Sequence, residues 1–109
     1  MSAITTHVLD TAAGRPAAGV AVRLESTAGT GWLTVGEGVT DDDGRVHELG
    51  PDAITAGRYR LTFATAEYFG DRESFFPEVT VTFTVTDPTT HHHVPILLSP
   101  FAFSTYRGS

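Results

Sequence analysis

From Val79 to Thr86 apolar residues and threonines alternate without a break: Val79, Val81, Phe83 and Val85 on one side of an extended chain, Thr80, Thr82, Thr84 and Thr86 on the other. A period of two over eight residues fits a β-strand with one buried and one wet face and does not fit a helix. The same period recurs where Val20, Val22 and Leu24 alternate with Ala21, Arg23 and Glu25, and where Tyr59, Leu61 and Phe63 alternate with Arg58, Arg60 and Thr62. Turn signals punctuate these runs: Ala13-Gly14-Arg15-Pro16, Thr27-Ala28-Gly29, Asp41-Asp42-Asp43-Gly44 and Gly50-Pro51-Asp52. Short strands at this spacing predict an all-β antiparallel sandwich or barrel. One segment reads as a helix of one or two turns, Thr65-Ala66-Glu67-Tyr68-Phe69-Gly70, with Thr65 as its N-cap and Gly70 as its stop.

The 109 residues suit one domain, residues 1–109, with a core large enough to need no staples. Cysteine is absent, which removes thiol catalysis, disulfides and Cys-based zinc sites together and fits a reducing compartment. A formal charge of −6 argues against non-specific nucleic-acid binding, which needs a basic face. The start of the chain, Met1 to His7, has neither a basic nor an apolar targeting region. The apolar run Val94-Pro95-Ile96-Leu97-Leu98 is too short to span a bilayer. A soluble cytoplasmic protein without membrane contact is expected.

Of the five histidines, His7 and His93 lie just inside the first or last strand. His91, His92 and His93 are consecutive; in an extended chain His91 and His93 share one face and His92 takes the other. Pro95 cannot donate a ladder hydrogen bond, which places its strand at an edge, a bulge or a subunit boundary. Singly, each of these residues has a bland explanation: a structural imidazole, a solvated turn arginine at Arg45, a frayed terminus.

Together they form a pattern. The stretch from His93-Val94-Pro95 through Leu98-Ser99-Pro100 to Tyr106-Arg107-Gly108-Ser109 closely resembles the C-terminal signature of the 5-hydroxyisourate hydrolases of the transthyretin-like family. Thr6-His7-Val8-Leu9-Asp10 with Gly14-Arg15-Pro16-Ala17 resembles its N-terminal motif, Thr40-Asp41-Asp42-Asp43-Gly44-Arg45 its internal one, and Phe75-Phe76-Pro77-Glu78-Val79 the segment before its penultimate strands. The blocks run in the family's order over nearly the whole chain. Three positions depart from it: His92 stands where Tyr is common, and Ala102-Phe103 replaces a common Gly-Tyr pair.

The resemblance implies a transthyretin-like (prealbumin-like) antiparallel β-sandwich of about eight strands with one short helix, assembled as a homotetramer, a dimer of dimers, with sites in a channel between dimers. It implies hydrolysis of 5-hydroxyisourate to 2-oxo-4-hydroxy-4-carboxy-5-ureidoimidazoline in urate breakdown, with no cofactor and no metal. The residue types suit that chemistry. Water needs a base near neutral pH, which imidazole provides. A developing oxyanion needs a fixed cation, and arginine adds a planar donor fork. The expected catalytic residues are His7, Arg45, His93 and Ser109. His7 and His93 share water activation and proton return, with the base undecided between them. Arg45 orients substrate and stabilises charge, and Ser109 acts through its hydroxyl or its carboxylate. His7, Arg45, Tyr106, Arg107 and Ser109 are the expected substrate-binding set, with Tyr106 and Arg107 shaping the pocket and holding the tail. A working tail must be ordered, and a neighbouring subunit is the expected means. Ile96, Leu97, Leu98 and Phe101 are expected to serve core and interface.

Three rivals stand beside this reading. A carrier of small hydrophobic ligands could use the same sandwich, as transthyretin does, but two polar histidines suit an apolar ligand poorly. An adhesion module often relies on a Lys–Asn crosslink, and this chain has neither residue. A histidine metal site lacks carboxylates at recognisable spacing.

Overall fold

The computed structural model describes residues 2–109. Eight strands and one short helix follow in the order β1 (Ile4–Asp10), β2 (Arg15–Pro16), β3 (Ala21–Ala28), β4 (Gly31–Val39), β5 (Gly57–Phe63), α1 (Thr65–Phe69), β6 (Val79–Val85), β7 (His92–Ser99) and β8 (Ala102–Thr105). They form two four-stranded sheets, β2-β1-β7-β8 and β4-β3-β5-β6. The alternating runs are the strands they resemble: Leu61 and Phe63 in β5 and Val22 and Leu24 in β3 are buried, as are Val79 and Val85 at the two ends of β6. Ile4, Val8, Ile96 and Leu98 of the first sheet meet them from the other side in one core. Each large apolar side chain buried this fully contributes about 1.5–3 kcal/mol.

The core thus fixes the outer face of the β1–β7 pair by parity. Ile4, Thr6, Val8 and Asp10 of β1 point inward, so Thr5, His7 and Leu9 point outward. In β7 Val94, Ile96 and Leu98 are buried while His93, Leu97 and Ser99 are only partly so. Of the four apolar residues expected to serve core and interface, Ile96 and Leu98 are core, Leu97 lies on the outer face, and Phe101 is 60% exposed.

Three local expectations need correction and a fourth is narrowed. The β1–β7 pair is parallel, the one parallel pairing in two otherwise antiparallel sheets. His93 belongs to the penultimate strand, because β8 follows it. Of the alternatives for Pro95, the edge is ruled out: its strand is interior, flanked by β1 and β8. The proline is accommodated by a gap in the ladder on the β8 side: the pairing stops at Ile96↔Thr105 and resumes as the bridge His93↔Gly108. Thr105 closes that gap from its side chain, its Oγ1 donating to the Pro95 carbonyl at 2.7 Å. Finally, the N-cap of α1 is Ala64, with no side-chain capping bond. The Thr65 hydroxyl instead donates to the Phe76 carbonyl at 2.7 Å, tying the helix to the segment before β6. Gly70 ends the helix as expected, with φ of 63°.

No helix among the described residues is long and apolar enough to cross a membrane.

Candidate active site

Three segments far apart in sequence converge on the outer face of β1 and β7. Parallel register places Thr5 beside His93 and His7 beside Pro95, so His7 is one step along the same face from the His93 neighbour. Arg45 arrives from a turn. The Asp41 carboxylate accepts from the backbone N–H groups of Asp43 (2.9 Å) and Arg45 (3.0 Å), and the Asp41 N–H donates to the Arg45 carbonyl at 2.8 Å. The N–H of Arg45 foremost, with that of Asp43 and the nearby Arg45 charge, outweighs the opposing desolvation and holds Asp41 below the usual carboxylate range. Gly44 completes the turn at φ of +77°, pressed so closely on β1 that a Cβ there would collide with the Val8 carbonyl; only glycine meets both demands. The turn then docks, Val8 N–H donating to Gly44 O at 2.8 Å and His7 bridging to Arg45. The Arg45 side chain is exposed, and no carboxylate among the described residues forms an ion pair with it.

Both histidines are oriented by hydrogen bonds. The His7 Nε2 lies 2.7 Å from the Asp43 carbonyl. A carbonyl only accepts, so this nitrogen carries a proton and Nδ1 is the one left for other work. The His93 Nδ1 lies 2.8 Å from the Thr5 hydroxyl. The same hydroxyl lies 2.8 Å from the Nε2 of His91. Burial chiefly, and then the positive fields of Arg45, His7 and His91, push the His93 imidazole below its ordinary pKa, so at neutral pH it is a neutral base.

The tail reaches the same place. The Gly108 N–H donates to the His93 carbonyl at 2.8 Å. A Cβ on Gly108 would lie 2.6 Å from the His93 Cδ2 and 3.4 Å from the Pro95 Cδ, so the bare glycine backbone packs against the imidazole edge. The tail is thus held partly by its own chain, in addition to anything a neighbour supplies. Ser109 follows directly and is exposed. Tyr106 and Arg107 are placed differently: with His92, Val94, Thr105, Val81 and Phe83 they line a cavity of about 340 Å³ between β6 and the start of β7. Arg107 reaches the Thr90 hydroxyl at 3.5 Å. The structure therefore gathers His7, Arg45, His93 and Gly108, and sets Tyr106 and Arg107 against a cavity on the inward side of β7, the side that His92 and Val94 face.

Parity of the three histidines holds. His91 and His93 share Thr5, while His92 is 4% exposed and its Nδ1 lies 2.9 Å from the Thr90 carbonyl. Phe103 packs edge-on against Phe76, with ring centroids 5.1 Å apart. Thr5 is the member of the site that the sequence did not single out. Its signal was available only as parity, two residues before His7 on the same face. Among the described residues no group of three or more His, Asp or Glu is placed to hold a metal ion.

Comparison with known proteins decides the family. The model of the HIUase/Transthyretin family matches residues 4–108. This chain belongs to that family. It is 44% identical over 109 residues to a 5-hydroxyisourate hydrolase of Salmonella typhimurium, covering 97% of this chain and 80% of the relative. The mouse 5-hydroxyisourate hydrolase is 46% identical over 113 residues, covering 99% and 96%. Among solved structures, the Klebsiella pneumoniae 5-hydroxyisourate hydrolase superposes with a TM-score of 0.85 at 38% identity, over 97% of this chain and 98% of the other. Transthyretin from Sparus aurata superposes with a TM-score of 0.90 at 32% identity, over 99% and 97%. The fold is thus common to a protein named as a hydrolase and one named as a transthyretin, and the backbone alone does not separate them.

Proposed function

We propose that this protein hydrolyses 5-hydroxyisourate to 2-oxo-4-hydroxy-4-carboxy-5-ureidoimidazoline, using its own side chains, with neither metal nor cofactor. The observation that carries the reading is the convergence of two oriented imidazoles and an exposed guanidinium on one sheet face, in a chain whose relatives bear that enzyme's name. The transthyretin neighbour is as close in backbone, but an apolar ligand laid on this face would have to cover His7, Arg45 and His93 without pairing them, which costs free energy.

The chemistry follows from the geometry. A neutral imidazole takes a proton from water, and the hydroxide adds to a carbonyl of the six-membered ring. Arg45 stabilises the oxyanion that forms. The ring C–N bond then breaks, and the proton held on imidazole passes to the departing nitrogen. His93, kept neutral by burial and by neighbouring positive charge, suits the accepting step. His7, with its Nε2 proton committed to Asp43, holds substrate by accepting at Nδ1, and His93 returns the proton it took. Ser109 positions water or substrate, while Tyr106 and Arg107 hold the tail, Arg107 by its contact with the Thr90 hydroxyl. Because the site lies on an open sheet face, a second wall comes from assembly, as a homotetramer built from two dimers.

Mixing the protein with freshly generated 5-hydroxyisourate and following the loss of its near-ultraviolet absorbance tests the proposal. Decay no faster than the spontaneous rate would leave the carrier reading ahead. His7→Ala, Arg45→Ala and His93→Ala are each expected to lower turnover by roughly 10²-fold or more while the fold persists.

A further inference from the structure

The Thr5 hydroxyl sits between two imidazole nitrogens, His91 Nε2 and His93 Nδ1, at 2.8 Å from each. A hydroxyl has one proton to give and can accept from another donor. Two proton arrangements satisfy both contacts. In one, Thr5 donates to His93 Nδ1 and accepts from His91 Nε2–H, which leaves the His93 proton on Nε2. In the other, His93 Nδ1–H donates to Thr5 and Thr5 donates to His91 Nε2, which leaves the His93 Nε2 with a free lone pair. The two arrangements make His93 an acid and a base respectively at the same nitrogen.

We infer that His91, acting through the Thr5 hydroxyl, is a positioning residue that fixes His93 as the Nδ1–H tautomer and so makes its Nε2 the proton-accepting atom. This deepens the hydrolase reading and rests on it for the proton-accepting role. Three observations support it. His91 is exposed and stands just before β7 begins, so its Nδ1 can hold its own proton against solvent and leave Nε2 to accept. The second arrangement also survives the reaction: when His93 Nε2 takes a proton from water, Nδ1–H still donates to Thr5 and Thr5 still donates to His91. In the first arrangement protonated His93 would face a hydroxyl that is itself donating, and a hydrogen would have to move in mid-reaction. Finally, the Gly108 backbone packs on the Cδ2 edge of the ring. A half-turn flip would place a ring nitrogen against that backbone and remove Nδ1 from Thr5, so the ring has one orientation for the relay to act on.

The outcome is read by ¹⁵N NMR of His93, which reports which ring nitrogen bears the proton without substrate present, together with kcat and KM. The wild type is expected to show the Nδ1–H form. His91→Ala frees the Thr5 proton to point at His93, so the ring is expected to change to Nε2–H, with kcat lowered roughly 10-fold or more and KM little changed. His91→Gln returns a carbonyl acceptor to Thr5 and is expected to restore much of the Nδ1–H signal and of kcat. Thr5→Val is expected to lose the relay, and Thr5→Ser to retain it. A wild-type ring already protonated at Nε2, or one unchanged in His91→Ala, overturns the relay even if the protein is an active hydrolase. A wild type that shows the Nδ1–H form but no hydrolysis would overturn the parent reading, and with it the base role of Nε2.

Discussion

At the scale of single residues, the site depends on contacts that need particular atoms, or none. Gly108 is the plainest case. Replacing it with alanine would put a methyl group within 2.6 Å of the His93 ring carbon, closer than real side chains approach, and either the imidazole or the tail must move. Gly108→Ala is expected to lower turnover at least about 10-fold, the loss that a misplaced catalytic group brings, while thermal unfolding changes little. Loss of folding and activity in parallel would count against a local role. The pKa of His93, pushed down by its surroundings, has a signed consequence. The neutral base persists to lower pH than an ordinary imidazole would, so the acid limb of kcat/KM should lie below the usual histidine midpoint. Measured across a pH series, a limb above that midpoint would remove His93 from the role. His7, Arg45 and His93 were visible in the sequence only as parts of a matching pattern, because each alone is an ordinary strand or turn residue. Thr5 was not visible, since its partner lies 88 positions away and no local signal marks a contact of that kind.

At the scale of elements, the helix is tied to the first sheet through Asp10, whose side chain is fully buried. The Tyr68 hydroxyl donates to the Asp10 Oδ2 at 2.6 Å, the Ala13 N–H to its Oδ1 at 2.8 Å, and Arg72 approaches at 3.5 Å. Burial alone would raise the Asp10 pKa; the hydrogen bonds from Tyr68 and Ala13 and the Arg72 charge outweigh it, and the net effect is a lowering. A carboxyl whose folded pKa lies below its unfolded value stabilises the fold above the unfolded pKa and loses that contribution as pH falls through the folded one. Tyr68→Phe is therefore expected to cost about 1.5–3 kcal/mol at neutral pH, as for a hydrogen bond to a charged group. It should also make stability less dependent on pH in the acid range; chemical denaturation at several pH values measures both. The strands β3, β5 and β6 were legible because their period of two is set by burial, a local and repeating cause. The start of α1 was not, because the Thr65 hydroxyl met a better partner in Phe76 than the helix end offered. The place of Pro95 inside a sheet was not either: a gap in a ladder depends on how a neighbouring strand runs, which no window of sequence contains.

At the scale of the whole molecule, the face that carries the candidate site is open in one chain, and the homotetramer is proposed to close it. Sedimentation of the purified protein should give four chains, and specific activity should fall on dilution through the range where the tetramer dissociates; constant activity in a monomer would show the site to be complete alone. Removing Tyr106–Ser109 takes away one hydrogen bond to His93 and the backbone packed on its ring. It is expected to reduce turnover by roughly 10²-fold or more, in line with the other site residues, and to leave the strand content unchanged by circular dichroism. The parallel pairing of β1 with β7 has a consequence for refolding. Every strand from β2 to β6 lies between these two partners in the chain, so the register that sets His93 beside Thr5 closes the longest loop in the fold, a slow kind of contact to make. Enzymatic activity regained after dilution from denaturant would then serve as a clock for the last step, silent while hairpins such as β3–β4 already give a spectroscopic signal.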